Sequence, residues 1–193
     1  MKKEFHWLLI GQLNKKVMTV KVISDFIDSS TFECFKLIMM ENPYFPWYFA
    51  NYVNEPNEGF DGFMFCHTFY NNDGIISSVF DQIMLPILDK LGIGKNELIR
   101  AKANLYTKQN NHIEHGFHVD DGIKSYGERF KVALLNINTN NGYTEFETGE
   151  KVISRENEVI LFDGSIRHRS VTQTDDNRRV NININYLINN SKD

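Results

Sequence analysis

Residues 115–121, HGFHVDD, bring two imidazoles and two carboxylates into one short stretch. If that stretch is extended, side chains two apart face the same way, so His118 and Asp120 share one face and Val119 and Asp121 the other. An imidazole beside a carboxylate is half of a divalent-metal site. His-x-Asp also arises by chance in a chain with six histidines, and a polar strand end is the competing reading. The missing half lies downstream in LFDGSIRHRS, where His168 follows an apolar strand and an Asp163-Gly164 turn. In a β-sandwich, a strand about fifty residues on can return beside the first. Two histidines and one carboxylate on one side of an ion form a facial triad with open positions, which suits non-haem Fe(II) oxygenases. Zinc accepts the same donors.

The stretch RRVNININYL alternates strictly. Arg179, Asn181, Asn183 and Asn185 fall on one face, and Val180, Ile182, Ile184 and Tyr186 on the other. Such a polar face is either solvated or the wall of a polar pocket. Beside a metal, an arginine on that wall is a fork for a carboxylate. A metal with open positions and a nearby anion clamp describes a site for a small dicarboxylate.

These groups need elements to hold them. FHWLLIG and GFMFCHTFY read as strands. DSSTFECFKLIMMENP opens on capping residues and stops at Pro43, predicting a helix over 30–41. SSVFDQIMLPILDKLG has helical spacing, ends at Gly92 and is expected to kink at Pro86. From Leu98 the texture changes to short strands between turns: LIRAKANLY, RFKVALLNIN, YTEFE, EKVIS, NEVILFD, HRSVTQ and RRVNININYL. Many short strands argue for a sandwich or barrel. The expected fold is mainly β with flanking helices, two of them packed on one sheet, and an open α+β sheet is the alternative. Neither a glycine-rich phosphate loop nor a βαβ rhythm occurs, so a doubly wound nucleotide fold is not expected.

A length of 193 residues fits one domain, with a helical and strand part over 1–97 and a β core over 98–187. The net charge of −4 offers no general attraction to phosphate backbones or anionic lipid. Cys34 and Cys66, each in an apolar setting, are expected to be buried thiols of a reducing compartment. The apolar run WLLI near the start is too short for a signal peptide or membrane span, so a soluble cytoplasmic protein is expected.

The ordered set His118-x-Asp120, His168 and Arg179 resembles the signature of the 2-oxoglutarate/Fe(II)-dependent oxygenases, in particular the small prolyl-4-hydroxylase-like enzymes of bacteria and bacteriophages. Asn104 and Tyr106 in ANLY resemble the Asn-x-Tyr pair that holds 2-oxoglutarate in related oxygenases. The stretches IEHGFHVD, NTNNGYTEF and FDGSIRHRSVTQTDDNRRVNININY also read like that group, and the likeness covers about Leu98 to Leu187. It implies a double-stranded β-helix, or jelly roll, with Fe(II) on His118, Asp120 and His168. It implies 2-oxoglutarate bound to the iron, with its far carboxylate on Arg179 and with Asn104 and Tyr106 as further contacts. Family spacing admits Arg178 as well as Arg179, and strand parity favours Arg179. The implied reaction uses O2, converts 2-oxoglutarate to succinate and carbon dioxide, and hydroxylates a substrate, with ascorbate as a reductant. Related halogenases lack a carboxylate at the position of Asp120, so hydroxylation is the expected outcome. The expected substrate is a small molecule or a peptide, nucleic acid being disfavoured. The resemblance places the protein in a bacterial cytoplasm, a phage-infected cell included. A prolyl-type peptide hydroxylase and a jelly roll that binds metal or ligand without catalysis are the alternatives.

Other residues invite blander readings. His115 is three before His118 and should point the opposite way. His112 lies in an asparagine loop and should be solvated, and His67 should be a satisfied core or pocket histidine. The aromatics of YFPWYFANYV, residues 44–53, should build core, the alternative being a platform that stacks a nucleobase or grips a side chain. The loop GIKSYGERF, residues 122–130, is a lid or a plain surface loop. Arg169 is either exposed or a substrate anchor.

Overall fold

Strand pleating decides this architecture, because nearly every long strand has two faces to cover. The structure is a computed structural model that describes residues 6–10, 18–53, 62–120 and 123–188. Its strands are β1 (His6–Ile10), β2 (Met18–Ile23), β3 (Tyr48–Ala50), β4 (Met64–Asn71), β5 (Gly74–Ile75) and β6 (Leu98–Thr107). They continue with β7 (Phe130–Asn136), β8 (Tyr143–Phe146), β9 (Lys151–Ile153), β10 (Glu158–Asp163), β11 (His168–Val171) and β12 (Arg178–Leu187). The large sheet has the order β1-β2-β10-β7-β12-β6-β4-β3, with β5 paired to β4, and the small sheet has the order β11-β8-β9. From β7 onward the chain passes from the large sheet to the small one and back twice, all in antiparallel pairings. That winding is the expected jelly roll.

The two faces of the large sheet meet different partners. Ala133, Leu135, Val180, Ile182, Ile184, Ala101 and Ala103 pack against the helices, in a core that includes Phe35, Phe80, Ile83 and Ile87. Phe130, Val132, Leu134, Ile160 and Phe162 point the other way and meet Phe146 and Val152 of the small sheet. The odd-numbered residues of β12 therefore face into the sandwich. This is why Asn181, Asn183 and Asn185 are buried rather than solvated.

The helices are α1 (Ser29–Lys36) and α2 (Phe80–Leu91). Asp28 caps α1 by accepting from the Thr31 backbone N–H at 3.0 Å. The helix expected over 30–41 changes character at Leu37, where residues Leu37–Glu41 take wider π-helical bonds. The Arg178 side chain donates to the Met40 carbonyl and to Glu41 there, the latter at 2.9 Å. α2 runs through Pro86 and ends at Gly92, whose φ of 68° is the left-handed cap that glycine adopts without strain.

Several expectations fail locally. β2, β3 and β5 lie outside the strands read from the sequence, and residues 114–120 form no continuous strand but touch β11 through isolated bridges at Glu114 and His118. Cys34 is exposed and Cys66 half-buried, against the expected pair of buried thiols. α1 turns Phe32 and Phe35 inward, which leaves Cys34 on the solvent side. Within 44–53, Phe45 and Trp47 pack inward, but Tyr44, Tyr48, Phe49 and Tyr52 are exposed. None of the described helices is long and apolar enough to cross a membrane.

Candidate metal centre

The His118 and His168 backbones form an antiparallel bridge, exchanging N–H···O bonds of 3.0 and 2.9 Å. That bridge places the two rings side by side, with centroids 4.5 Å apart. Asp120, two residues past His118, turns its carboxylate to the same spot. One ligand atom from each of His118, Asp120 and His168 lies within 4.8 Å of the others. The two histidines are oriented alike. His118 Nδ1 lies 3.3 Å from the Gly116 carbonyl and His168 Nδ1 lies 3.1 Å from the Ile166 carbonyl. A carbonyl only accepts, so Nδ1 carries the proton in each ring and Nε2 keeps a lone pair for a metal.

Electrostatics agree with that role. Burial, reinforced by the nearby His168, brings the His118 pKa down to about 4, so its imidazole is neutral at pH 7. Burial pushes the Asp120 carboxyl up, but His168, Arg100, His118 and the Asn185 amide outweigh it and hold the group below the usual carboxylate range. Two imidazoles and one carboxylate form a hard and borderline donor set with no thiolate, which fits Fe(II).

From this triad a small cavity of about 50 Å³, open at its mouth, extends to Arg179. Its walls include Asn104, Tyr106, Leu134, Thr144, Ser170 and Asn181. Val53, Met64, Lys102 and Asn183 complete its lining. Arg179 is only 1% exposed. Its guanidinium donates to Ser154 Oγ at 2.7 Å, Ser170 Oγ at 3.1 Å and Thr144 Oγ1 at 3.3 Å, and lies 5.3 Å from the Tyr106 ring centroid. Burial lowers its pKa from the ordinary value. Among the described residues no carboxylate lies within ion-pairing distance of it. A buried cation surrounded only by hydroxyls and carbonyls lacks the anion that would offset its desolvation. Asn104 beside it is incompletely bonded: Nδ2 donates to Asn181 Oδ1 at 3.0 Å, while its buried Oδ1 has no partner. Turning both amides over keeps their mutual bond and aims an N–H of Asn104 at the cavity, as an anion requires.

Neither a family model nor a curated protein matches the sequence. Solved structures do match. An oxidoreductase of the 2OG-Fe(II) oxygenase family from Burkholderia pseudomallei superposes with a TM-score of 0.64 at 13% identity, over 87% of this chain and 84% of that one. The non-haem α-ketoglutarate-dependent carbocyclase SnoK from nogalamycin biosynthesis gives 0.62 at 9% identity, over 87% and 79%. A Pseudomonas putida prolyl-4-hydroxylase gives 0.53 at 14% identity, over 88% and 92%. The chain has the 2-oxoglutarate/Fe(II) oxygenase fold.

Within this oxygenase fold, the six residues singled out from the sequence (His118, Asp120, His168, Arg179, Asn104 and Tyr106) all line one cavity. Arg178 does not, being held on the helical side. Sequence reasoning missed Arg100, Lys102, Thr144, Ser154 and Ser170. Arg100 and Lys102 continue the alternation of Asn104 and Tyr106 along β6, and Ser170 is two residues past His168, so same-face spacing could have found all three. Gly142 is a further case. A Cβ there would lie 2.7 Å from Arg179 Cδ and 2.9 Å from Asn140 Oδ1. Overpacking of about 1–3 kcal/mol falls on the guanidinium in a Gly142→Ala protein, so roughly tenfold weaker 2-oxoglutarate binding is expected by calorimetry, with metal binding spared.

His67, His115 and Arg169 support the fold. His115 is buried, with Nδ1 2.8 Å from the Ser170 carbonyl and its ring stacked on Tyr106. His67 has a partner at each ring nitrogen, the Pro46 carbonyl and Ser77 Oγ, both at 2.8 Å. His112 is exposed. Arg169 bonds Glu145 at 2.7 Å and Glu114 at 2.6 Å and covers the Phe117 ring, fastening the segment that carries His118 to β8. Gly122 of the expected lid lies outside the described residues, and the rest forms a helical turn at Ile123–Tyr126 and a 3-10 turn at Gly127–Arg129.

Proposed function

We propose that the protein is an Fe(II)- and 2-oxoglutarate-dependent dioxygenase that hydroxylates a small molecule or peptide. The observation that carries this reading is the buried, acid-free Arg179 at one end of a cavity that also contains a two-histidine, one-carboxylate cluster. His118, Asp120 and His168 would hold the iron, and Arg179 would pair with the far carboxylate of 2-oxoglutarate. When bound, iron and 2-oxoglutarate supply the oxidising chemistry, in which decarboxylation to succinate accompanies hydroxylation of a C–H bond. The chain contributes the rest. Tyr106 sits against the guanidinium, and Asn104 offers an amide to the cosubstrate. Leu134 and Met64 make part of the wall apolar and limit water around the reacting groups. In both imidazoles Nδ1 is bonded to a backbone carbonyl, which leaves Nε2 as the nitrogen that would meet the iron.

The test is succinate formation from 2-oxoglutarate with Fe(II) and ascorbate. Slow substrate-free turnover is expected from the unmodified protein and none from Asp120→Ala. Absence of both turnover and 2-oxoglutarate binding in the folded, iron-loaded protein would overturn the reading.

A further inference from the structure

Asp120 accepts two carboxamide bonds on the same oxygen. Asn185 Nδ2 donates to Oδ2 at 2.6 Å and Asn183 Nδ2 donates to it at 3.2 Å. The other oxygen, Oδ1, faces His118 Nε2 at 3.7 Å and an Arg100 Nη2 at 3.6 Å. The direction of these amides follows from the donors around them. Arginine only donates, so the Asn185 atom 3.0 Å from Arg100 Nε is its carbonyl oxygen. The Asn185 NH2 then points at a carboxylate that only accepts. Its second N–H reaches Asn183 at 3.1 Å, which makes that atom the Asn183 oxygen and turns the Asn183 nitrogen toward Asp120. Arg100 thereby sets the direction of the whole relay. With both amides on it, Oδ2 has no lone pair left over.

We propose that Arg100, Asn185 and Asn183 are positioning residues that make Asp120 a one-oxygen ligand. This rests on the reading of the cluster as a metal centre. A six-coordinate ion held by two imidazoles and one oxygen keeps three positions open. A chelating 2-oxo acid takes two and leaves one. Were both Asp120 oxygens to bind, only two positions would remain, and the cosubstrate alone would fill them. The alternating asparagines of β12 thus preserve the last open position, a task distinct from forming the pocket wall.

Mn(II)-loaded protein without cosubstrate provides the test, because water-proton relaxation counts exchangeable waters on the ion. Asn185→Ala frees Oδ2 from its shorter bond, and relaxation enhancement is expected to fall by about a third, as three open positions become two. Asn183→Ala removes the longer bond and is expected to give a smaller fall. Thermal unfolding of the metal-free proteins identifies which variants fold, and Asn183→Ala serves if Asn185→Ala does not. Relaxation identical to the unmodified protein in the folded variants overturns the proposal while leaving the metal centre intact. Failure of the unmodified protein to bind manganese removes the metal centre, and the proposal with it.

Discussion

Arg179→Met is expected to weaken 2-oxoglutarate binding by about 2–5 kcal/mol, roughly 30- to 5000-fold, while leaving metal affinity unchanged. The guanidinium is the fully buried cation of the cavity lining, which also includes Lys102, and no acid among the described residues is shown pairing with it. A dicarboxylate that loses this fork leaves its own far carboxylate buried and unpaired, so the cost includes desolvation as well as lost bonds. Stability should move the other way. A buried charge held only by Ser154, Ser170 and Thr144 hydroxyls and a backbone carbonyl contributes little, and a methionine of similar length fills the same space. The ligand-free variant should therefore melt no lower than the unmodified protein, but lose the upward shift that 2-oxoglutarate gives the latter. Calorimetry and thermal unfolding with and without 2-oxoglutarate read both effects. Equal loss of metal and cosubstrate binding in a folded variant would remove Arg179 from the clamp.

How far the sequence reveals this site depends on how local each relation is. Strand parity is local, so the alternation in RRVNININYL was enough to separate Arg179 from Arg178, and the structure places them on opposite faces of β12. The return of His168 beside His118 is not local, yet an apolar strand followed by an Asp-Gly turn is a pattern that sandwiches repeat. The partners of Asp120 were beyond reach. Asn185 meets it because β12 pairs with β6 on one side, bringing Asn185 opposite Arg100, while the His118–His168 bridge brings Asp120 over the same spot. Both registers are long-range, and no nearby residue encodes them. The exposed aromatics of residues 44–53 show the opposite failure. Their composition suggested core, but β3 is the last strand of its sheet, so Tyr48 and Phe49 stay exposed despite ring contacts with His67, Phe63 and Phe65.

His168→Gln should have the larger effect on the metal itself. The imidazole is 6% exposed, packed edge-on against Phe162 at 4.8 Å, and bonded through Nδ1 to the Ile166 carbonyl. Glutamine roughly fills the same space and leaves the backbone bridge to His118 intact, but its amide is a poor metal donor compared with an imidazole. Changes to groups that merely support a ligand typically cost about 10- to 100-fold in metal affinity, and loss of the ligand should exceed that. Two of three donors then remain, on a segment that His168 no longer completes. Binding of 2-oxoglutarate should fall as well, because a ligand that grips the ion loses that grip when the ion leaves. The two substitutions are therefore asymmetric: Arg179→Met spares the metal and loses the dicarboxylate, whereas His168→Gln loses both. Titration of each protein with Co(II), followed by its visible absorption, separates the cases. Undiminished Co(II) binding by a folded His168→Gln protein would mean that the ion is held elsewhere, and the shared cavity would then be a polar pocket without a metal.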